Sequence, residues 1–278
     1  MRNPRLNRLF GANSRCVILS FDHGLFGEPN WLTGLEDMPK VIAEHAAARP
    51  DGMTLPPGSA ALLQSLPSRD KPNLLMRADV TNAYLGDRPA SMHAYGLADA
   101  VQRAVRLDVV AVVAALLIYP GESDLTRQCF ANLDALRAQC EVVGMPLLVE
   151  ILSMTDNEGI PLVQTGVANI APLVRQAMEL GADIIKADPT VPSGDFTKII
   201  DAAAGVPVLA SGGIPAPDAE VLQRTSDLMD AGASGIAYGR NVMWAEHPTS
   251  MTRALFQIVH AGMSVPEAIE IAGKGAGS

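Results

Sequence analysis

Several things are scarce or missing in this 278-residue chain, and each absence narrows what it does. No apolar run approaches the roughly 20 residues needed to cross a bilayer. Cys16–Phe21 is too short for the apolar core of a secretory signal. The cysteines number three, Cys16, Cys129 and Cys140. Their odd count and lack of metal-ligand spacing argue against a disulfide framework and for a reducing, cytoplasmic setting. Aromatic residues make up only 4% of the chain, so the core has to be built from Ala, Val, Leu and Ile. The five histidines, His23, His45, His93, His247 and His260, form neither an HxH nor an HExxH pattern, and no metal or other cofactor is expected. Basic residues are outnumbered, 21 Lys and Arg against 30 Asp and Glu, for a formal charge of −9. That balance offers no basic face to nucleic acid, although a few local groups can still hold one small phosphate.

What is present is a repeated alternation. Continuous apolar runs of four to nine residues are followed by amphipathic stretches with helical spacing. The predicted strands are Cys16–Phe21, Asp51–Leu55, Asn73–Asp79, Asp108–Leu116, Pro146–Ile151, Asp183–Asp188, Val206–Ala210 and Gly235–Tyr238. Predicted helices cover about 36–48, 59–66, 91–107, 125–143, 167–180, 194–204, 218–231, 248–260 and 266–272, with polar loops at 82–89 and 153–166. Eight strand-then-helix units without a composition break predict one α/β domain over 1–278, a (β/α)₈ TIM barrel. Residues 1–15 read as a lead-in segment and the Gly-rich stretch 273–278 as a mobile tail. An open doubly wound sheet fits less well, because no GxGxxG follows the first strand.

In such a barrel the reactive groups come from the C-terminal ends of the strands. Those ends supply Asp22, His23, Thr54, Arg77, Asp79, Tyr119, Glu150, Lys186 and Asp188, with Ser211-Gly212-Gly213 and Gly239-Arg240-Asn241 closing the last two. Lysine usage singles out one of them. Lys40, Lys71, Lys198 and Lys274 fall on predicted helix surfaces, loops or the tail, and only Lys186 sits on a core strand. A buried amine is either ion-paired or tuned for covalent chemistry. To attack a carbonyl it must be neutral, which for an ordinary lysine near 10.4 costs about 4 kcal/mol. A carboxylate beside it, such as Asp188 or Asp22, opposes that unless it shuttles the proton or partners an iminium. The glycines of Ser211-Gly212-Gly213 and of Gly239-Arg240 let backbone N–H groups approach an anion, and Arg240 adds a charged fork. The ends of strands seven and eight are where many barrels hold phosphate.

Taken together, Phe21-Asp22-His23-Gly24, Asp183-Ile184-Ile185-Lys186, Ser211-Gly212-Gly213 and Gly235 through Asn241 resemble the archaeal-type class I fructose-bisphosphate aldolase (DhnA-like) family. That family is similar to deoxyribose-phosphate aldolase and includes the autoinducer-2 phosphate thiolase. The resemblance runs from about Cys16 to Ile271. It implies a barrel with a Schiff-base lysine at Lys186 and no metal. Asp22 would handle protons or substrate hydroxyls, Ser211, Gly212, Gly213, Gly239 and Arg240 would hold a phosphate, and the chain would form a homo-oligomer. Two departures stand out. The family's Trp-x-Tyr at the end of strand five reads Glu150-Ile151-Leu152 here, which leaves Glu150 or Asp188, and behind them Tyr119, to move protons. The lysine that many members carry shortly after the strand-seven glycines is absent from Ile214-Pro215-Ala216-Pro217. The expectation is a class I aldolase-type lyase or transferase working on a phosphorylated ketose or keto compound, with Lys186, Asp22, Glu150 and Asp188 catalytic. His23, Thr54, Arg77, Asp79 and Tyr119 stand as further substrate contacts. The alternatives are a sugar-phosphate-binding barrel without turnover and an isomerase that uses carboxylates alone.

Overall fold

A computed structural model describes residues 3–27, 33–83, 91–158 and 160–275. Its eleven described strands are β1 (Cys16–Ser20), β2 (Gly52–Leu55), β3 (Asn73–Arg77), β4 (Asp79–Thr81), β5 (Ala94–Gly96), β6 (Ala111–Ile118), β7 (Leu147–Asn157), β8 (Ile160–Val163), β9 (Ile184–Ala187), β10 (Val208–Ser211) and β11 (Gly235–Tyr238). Eight of them run parallel in the order β6-β3-β2-β1-β11-β10-β9-β7, and β6 pairs with β7 to close the ring. The helices α1 (Pro4–Leu9), α2 (Met38–Ala47), α3 (Pro57–Gln64), α4 (Ala100–Arg106), α5 (Ser123–Val143), α6 (Val167–Glu179), α7 (Phe196–Ala202), α8 (Asp218–Asp230), α9 (Arg240–Met243), α10 (Pro248–Ala261) and α11 (Val265–Ala272) complete the chain. The expected (β/α)₈ barrel is therefore present.

The strands read as apolar runs because both of their faces are covered. One face packs under the helices, where Val17, Leu19, Met53, Val112, Val149, Ile185 and Val208 are buried. The other faces the barrel axis. There a layer of Cys16, Ile18, Leu75, Ala111, Val113, Leu148, Ile184, Leu209 and Ala237 fills the lower interior. Side chains alternate along a strand, so the next inward position lies two residues on. Those positions are Ser20, Arg77, Glu150, Lys186, Ser211 and Gly239, and they form the floor of the cleft described below.

Four expectations are corrected. The helix predicted over 91–107 is only α4, and Ala94–Gly96 instead forms an antiparallel ladder with β4. Gly96 is a poor helix former. On the other side of that short strand, Gln128 Oε1 accepts from the Ala94 N–H at 2.8 Å and Asn132 Oδ1 from the Gly96 N–H at 3.0 Å, so α5 satisfies its backbone. The loop predicted over 153–166 is largely a hairpin, because β7 continues past the barrel rim and pairs with β8 from Met154↔Val163 to Asn157↔Ile160. The fourth barrel strand starts at Ala111 rather than at Asp108, which has φ +50° and pairs with Arg8 at 2.9 Å. The tail was expected to be mobile from Gly273, but the Lys274 carbonyl accepts from Ser250 Oγ at 2.5 Å, and residues 276–278 lie outside the described residues. Most of the polar loop 82–89 also lies outside them.

The lead-in segment has a structural task. Asn3 caps α1 by accepting from the Arg5 N–H at 2.9 Å, and Arg5 Nη1 donates to the Val109 carbonyl at 2.9 Å. So anchored, Leu6, Leu9 and Phe10 close the lower end of the barrel interior, with Leu9 only 1% exposed. Leu9→Ala is expected to cost about 2–5 kcal/mol through lost burial and a residual cavity. Urea unfolding should show a lower midpoint with an unchanged slope; an unaltered midpoint would mean that α1 does not seal the barrel.

Candidate active site

The cleft lies at the C-terminal ends of the barrel strands and encloses about 570 Å³, part of it open to solvent. Its centre is a chain of buried charges. Arg77, at the end of β3, is 1% exposed. Its Nε donates to Asp22 Oδ2 at 2.6 Å, Nη1 reaches Asp79 Oδ1 at 3.4 Å, and Nη2 donates to Glu150 Oε2. The ring of Phe26 covers the guanidinium, 4.4 Å from its centroid. Glu150 also holds Lys186, with Oε1 2.5 Å from Nζ. The register places these two side by side, since β7 and β9 are neighbours and Glu150 is the parallel partner of Lys186.

Lys186 and Asp188 are two residues apart at the end of β9, and both line the cleft. Asp188 is bonded by the Ser211 hydroxyl from the end of β10, while its other oxygen, Oδ2, is buried without a hydrogen bond. The two carboxyls near the lysine are tuned in opposite directions. Burial works to raise Glu150, but Lys186 and Arg77 outweigh it and hold the group down at about 2. Burial raises Asp188 and prevails over the Ser211 hydrogen bond, with Glu150 adding repulsion and Lys186 and Arg240 opposing it. Asp79 is also raised, chiefly by burial, against the pull of Arg77 and the Ala115 N–H that donates to it at 2.7 Å. The guanidinium of Arg77 is opposed by burial, yet Asp22, Glu150 and Asp79 together bind its proton more tightly.

The opposite wall is made of loops. Gly213 has φ +63°, a conformation that favours glycine, and a Cβ there would press on Pro189. A Cβ on Gly239 would collide with the His23 ring and the Ser20 carbonyl, so only glycine lets these segments approach. Asn241 joins the two loops: its Nδ2 donates to the Gly212 carbonyl at 2.6 Å and its Oδ1 accepts from the Ala216 N–H at 3.1 Å. Arg224 of α8 braces the same turn from behind, donating to the Gly212 carbonyl at 2.7 Å. Arg240 lines the cleft beside them.

Of the residues expected from sequence, Asp22, His23, Arg77, Glu150, Lys186, Asp188, Ser211, Gly212, Gly213, Gly239 and Arg240 converge on this cleft. Three do not line it. Thr54 is buried in β2, Asp79 lies beneath Arg77, and the Tyr119 hydroxyl donates to Asp156 at 3.0 Å. The carboxylate beside Lys186 is Glu150, whereas Asp22 is committed to Arg77. Ser20, Phe26 and Leu152 were not singled out, and Asn241, named at the strand-eight end, was given no role. Ser20 was findable as the inward position two residues before Asp22, and Asn241 directly follows the Gly-Arg pair; nothing in the sequence marked Phe26. Leu152, the third residue of Glu150-Ile151-Leu152, lines the cleft with an apolar side chain. Among the described residues, no three His, Cys, Asp or Glu side chains are arranged to hold a metal ion.

A model of the DeoC/LacD family aldolases matches residues 16–245, which include all eight barrel strands and every group of the cleft. The chain is similar to a 2-amino-3,7-dideoxy-D-threo-hept-6-ulosonate synthase of Halobacterium salinarum, 30% identical over 272 residues that cover 98% of this chain and 96% of that protein. It is similar also to a 3-hydroxy-5-phosphonooxypentane-2,4-dione thiolase of Escherichia coli, 33% identical over 273 residues, covering 96% and 85%. Among solved structures, an archaeal fructose-1,6-bisphosphate aldolase with its catalytic lysine bound to the carbinolamine intermediate superposes with a TM-score of 0.73 at 27% identity, covering 92% and 98%. The chain belongs to the DeoC/LacD aldolase family.

Proposed function

We propose that this barrel is a class I aldolase-type lyase or transferase that makes or breaks a C–C bond in a phosphorylated ketose or keto compound through a Schiff base on Lys186. One observation carries the reading: a lone lysine at the mouth of the barrel lies 2.5 Å from one carboxylate, Glu150, and two residues from another carboxyl tuned the opposite way. Two titratable groups whose environments push them apart are a natural base and acid. The ammonium proton of Lys186 passes to Glu150, and the nitrogen adds to the carbonyl carbon, the carbinolamine oxygen keeping the amine's second proton. Asp188 protonates that hydroxyl, water leaves, and the nitrogen lone pair closes the iminium. The iminium accepts the electrons of the adjacent C–C bond as a carboxylate takes the proton of the neighbouring hydroxyl and the aldehyde departs. Asp22 and His23, on the β1 side of the cleft, face the substrate's hydroxyls, and Arg77 holds Asp22 and Glu150 in place. Ser211, Gly212, Gly213, Gly239 and Arg240 receive the phosphate, whose binding energy positions the reacting carbon. The phosphorylated substrates named for the thiolase and the fructose-bisphosphate aldolase support this class.

We also read the chain as a cytoplasmic homo-oligomer. Its three thiols are unpaired, which suits a reducing compartment, and Val105, Val142 and Val143 expose an apolar groove between α4 and α5, with Val142 84% exposed. A monomer in light scattering would rule the oligomer out.

Lys186→Met should fold and abolish retro-aldol turnover across a panel of ketose phosphates; retained cleavage would remove Lys186 as the nucleophile, and isomerisation without cleavage in both forms would favour the carboxylate-only isomerase. Glu150→Gln should lower kcat by about 10²–10⁴-fold, as loss of a general base does. Its residual rate should climb with pH, because the lysine proton must then leave to solvent. A rate equal to that of the parent protein at neutral pH would remove Glu150 from the mechanism.

A further inference from the structure

Ser211 sits between the acid and the anion-binding turn. Its hydroxyl donates to Asp188 Oδ1, and its oxygen accepts from the Gly213 N–H at 3.3 Å. Asp188 is 8% exposed, and Oδ2 is buried with no hydrogen bond, so the hydroxyl of Ser211 is the hydrogen-bond donor seen on this carboxyl. The charges that act on Asp188 come from three sides: Glu150 on β7 repels, while Lys186 on its own strand and Arg240 after β11 attract. Arg240 also lines the turn where a phosphate would sit. An anion arriving there competes for the proton of Ser211, screens Arg240 and adds negative charge beside an already buried carboxyl. Every one of these changes disfavours the carboxylate.

We propose that Ser211 is a positioning residue that couples phosphate binding to proton uptake by Asp188. The bound phosphate accepts a hydrogen bond from the Ser211 hydroxyl; Asp188, having lost that donor, takes a proton from solvent and donates it in a hydrogen bond to Ser211 Oγ. The acid is thereby loaded when a phosphorylated substrate is in place. Asp188 and Lys186 lie on the same inward face of β9, so the loaded proton is beside the carbinolamine. It moves to the carbinolamine hydroxyl as the C–O bond breaks, water leaves, the nitrogen lone pair forms the C=N bond, and the resulting Asp188 carboxylate faces the new iminium cation. A substrate lacking phosphate leaves Asp188 hydrogen-bonded to the Ser211 hydroxyl, without this added push towards its acid form, and dehydrates more slowly. This inference rests on the Schiff-base and phosphate assignments made above.

The test uses sulfate, a tetrahedral anion that does not titrate near neutrality, so any proton taken up belongs to the protein. Calorimetric titrations near neutral pH in buffers of different ionisation enthalpy report the protons taken up per anion bound. The parent protein should take up as much as about one proton per sulfate, the linkage expected of a single site. Asp188→Asn should bind sulfate with no uptake. Ser211→Ala, which leaves Asp188 without its donor in both states, should lose most of the uptake, and Ser211→Thr should restore it. Sulfate binding without proton uptake, or equal uptake in Asp188→Asn, would overturn the coupling and leave the aldolase reading standing. Failure of sulfate to bind would instead remove the phosphate assignment and the coupling with it.

Discussion

The site depends on a single buried guanidinium. Arg77 is bonded to Asp22 after β1, Asp79 after β3 and Glu150 in β7, so three parts of the ring meet on one side chain. Burying an isolated cation is prohibitive, and here each hydrogen-bonded carboxylate offsets part of that cost. The arrangement is also self-limiting, because an arginine stripped of one partner would leave a buried charge uncompensated. Phe26 keeps water from the outer face of the guanidinium. This buried charge cluster holds Glu150 against both Arg77 and Lys186.

That shared carboxylate links structure to chemistry. Two cations hold Glu150 in its ionised form, and it gains basicity only as Lys186 gives up its charge, while burial biases Asp188, with one hydroxyl for company, towards its acid form. Leu152 lines the cleft with an apolar side chain. In the proposed mechanism, two carboxyls that differ in environment rather than in kind divide the proton transfers between them. The Gly212-Gly213 turn is held by its own bonds, through Asn241 and Arg224, and meets this cluster at the Ser211–Asp188 hydrogen bond.

Much of this was legible in the sequence because a barrel strand encodes its two faces by alternation. Ile184 and Lys186, Leu148 and Glu150, Leu75 and Arg77 each step from the apolar interior to the cleft two residues later, and reading the strand ends was enough to collect the polar groups. Pairing was not legible. Strand-end position could not tell that Glu150 rather than Asp188 or Asp22 would meet Lys186, because that follows from the stagger of β7 against β9. Nor could local pattern reveal β5, whose backbone is satisfied by Gln128 and Asn132 more than thirty residues away, or the plug formed by Leu9. Tyr119 and Thr54 were drawn in by their position in the chain alone, and their side chains have other neighbours.

The central claim is that Lys186 is the covalent nucleophile, and chemical trapping addresses it most directly. Incubation with ketose phosphates and borohydride reduces an iminium to a stable secondary amine, and peptide mass spectrometry then locates it. The account predicts one substrate-dependent adduct, on the peptide containing Lys186, with the mass of the reduced keto fragment. An adduct confined to a different lysine, or turnover of a substrate with no adduct at all, would contradict it.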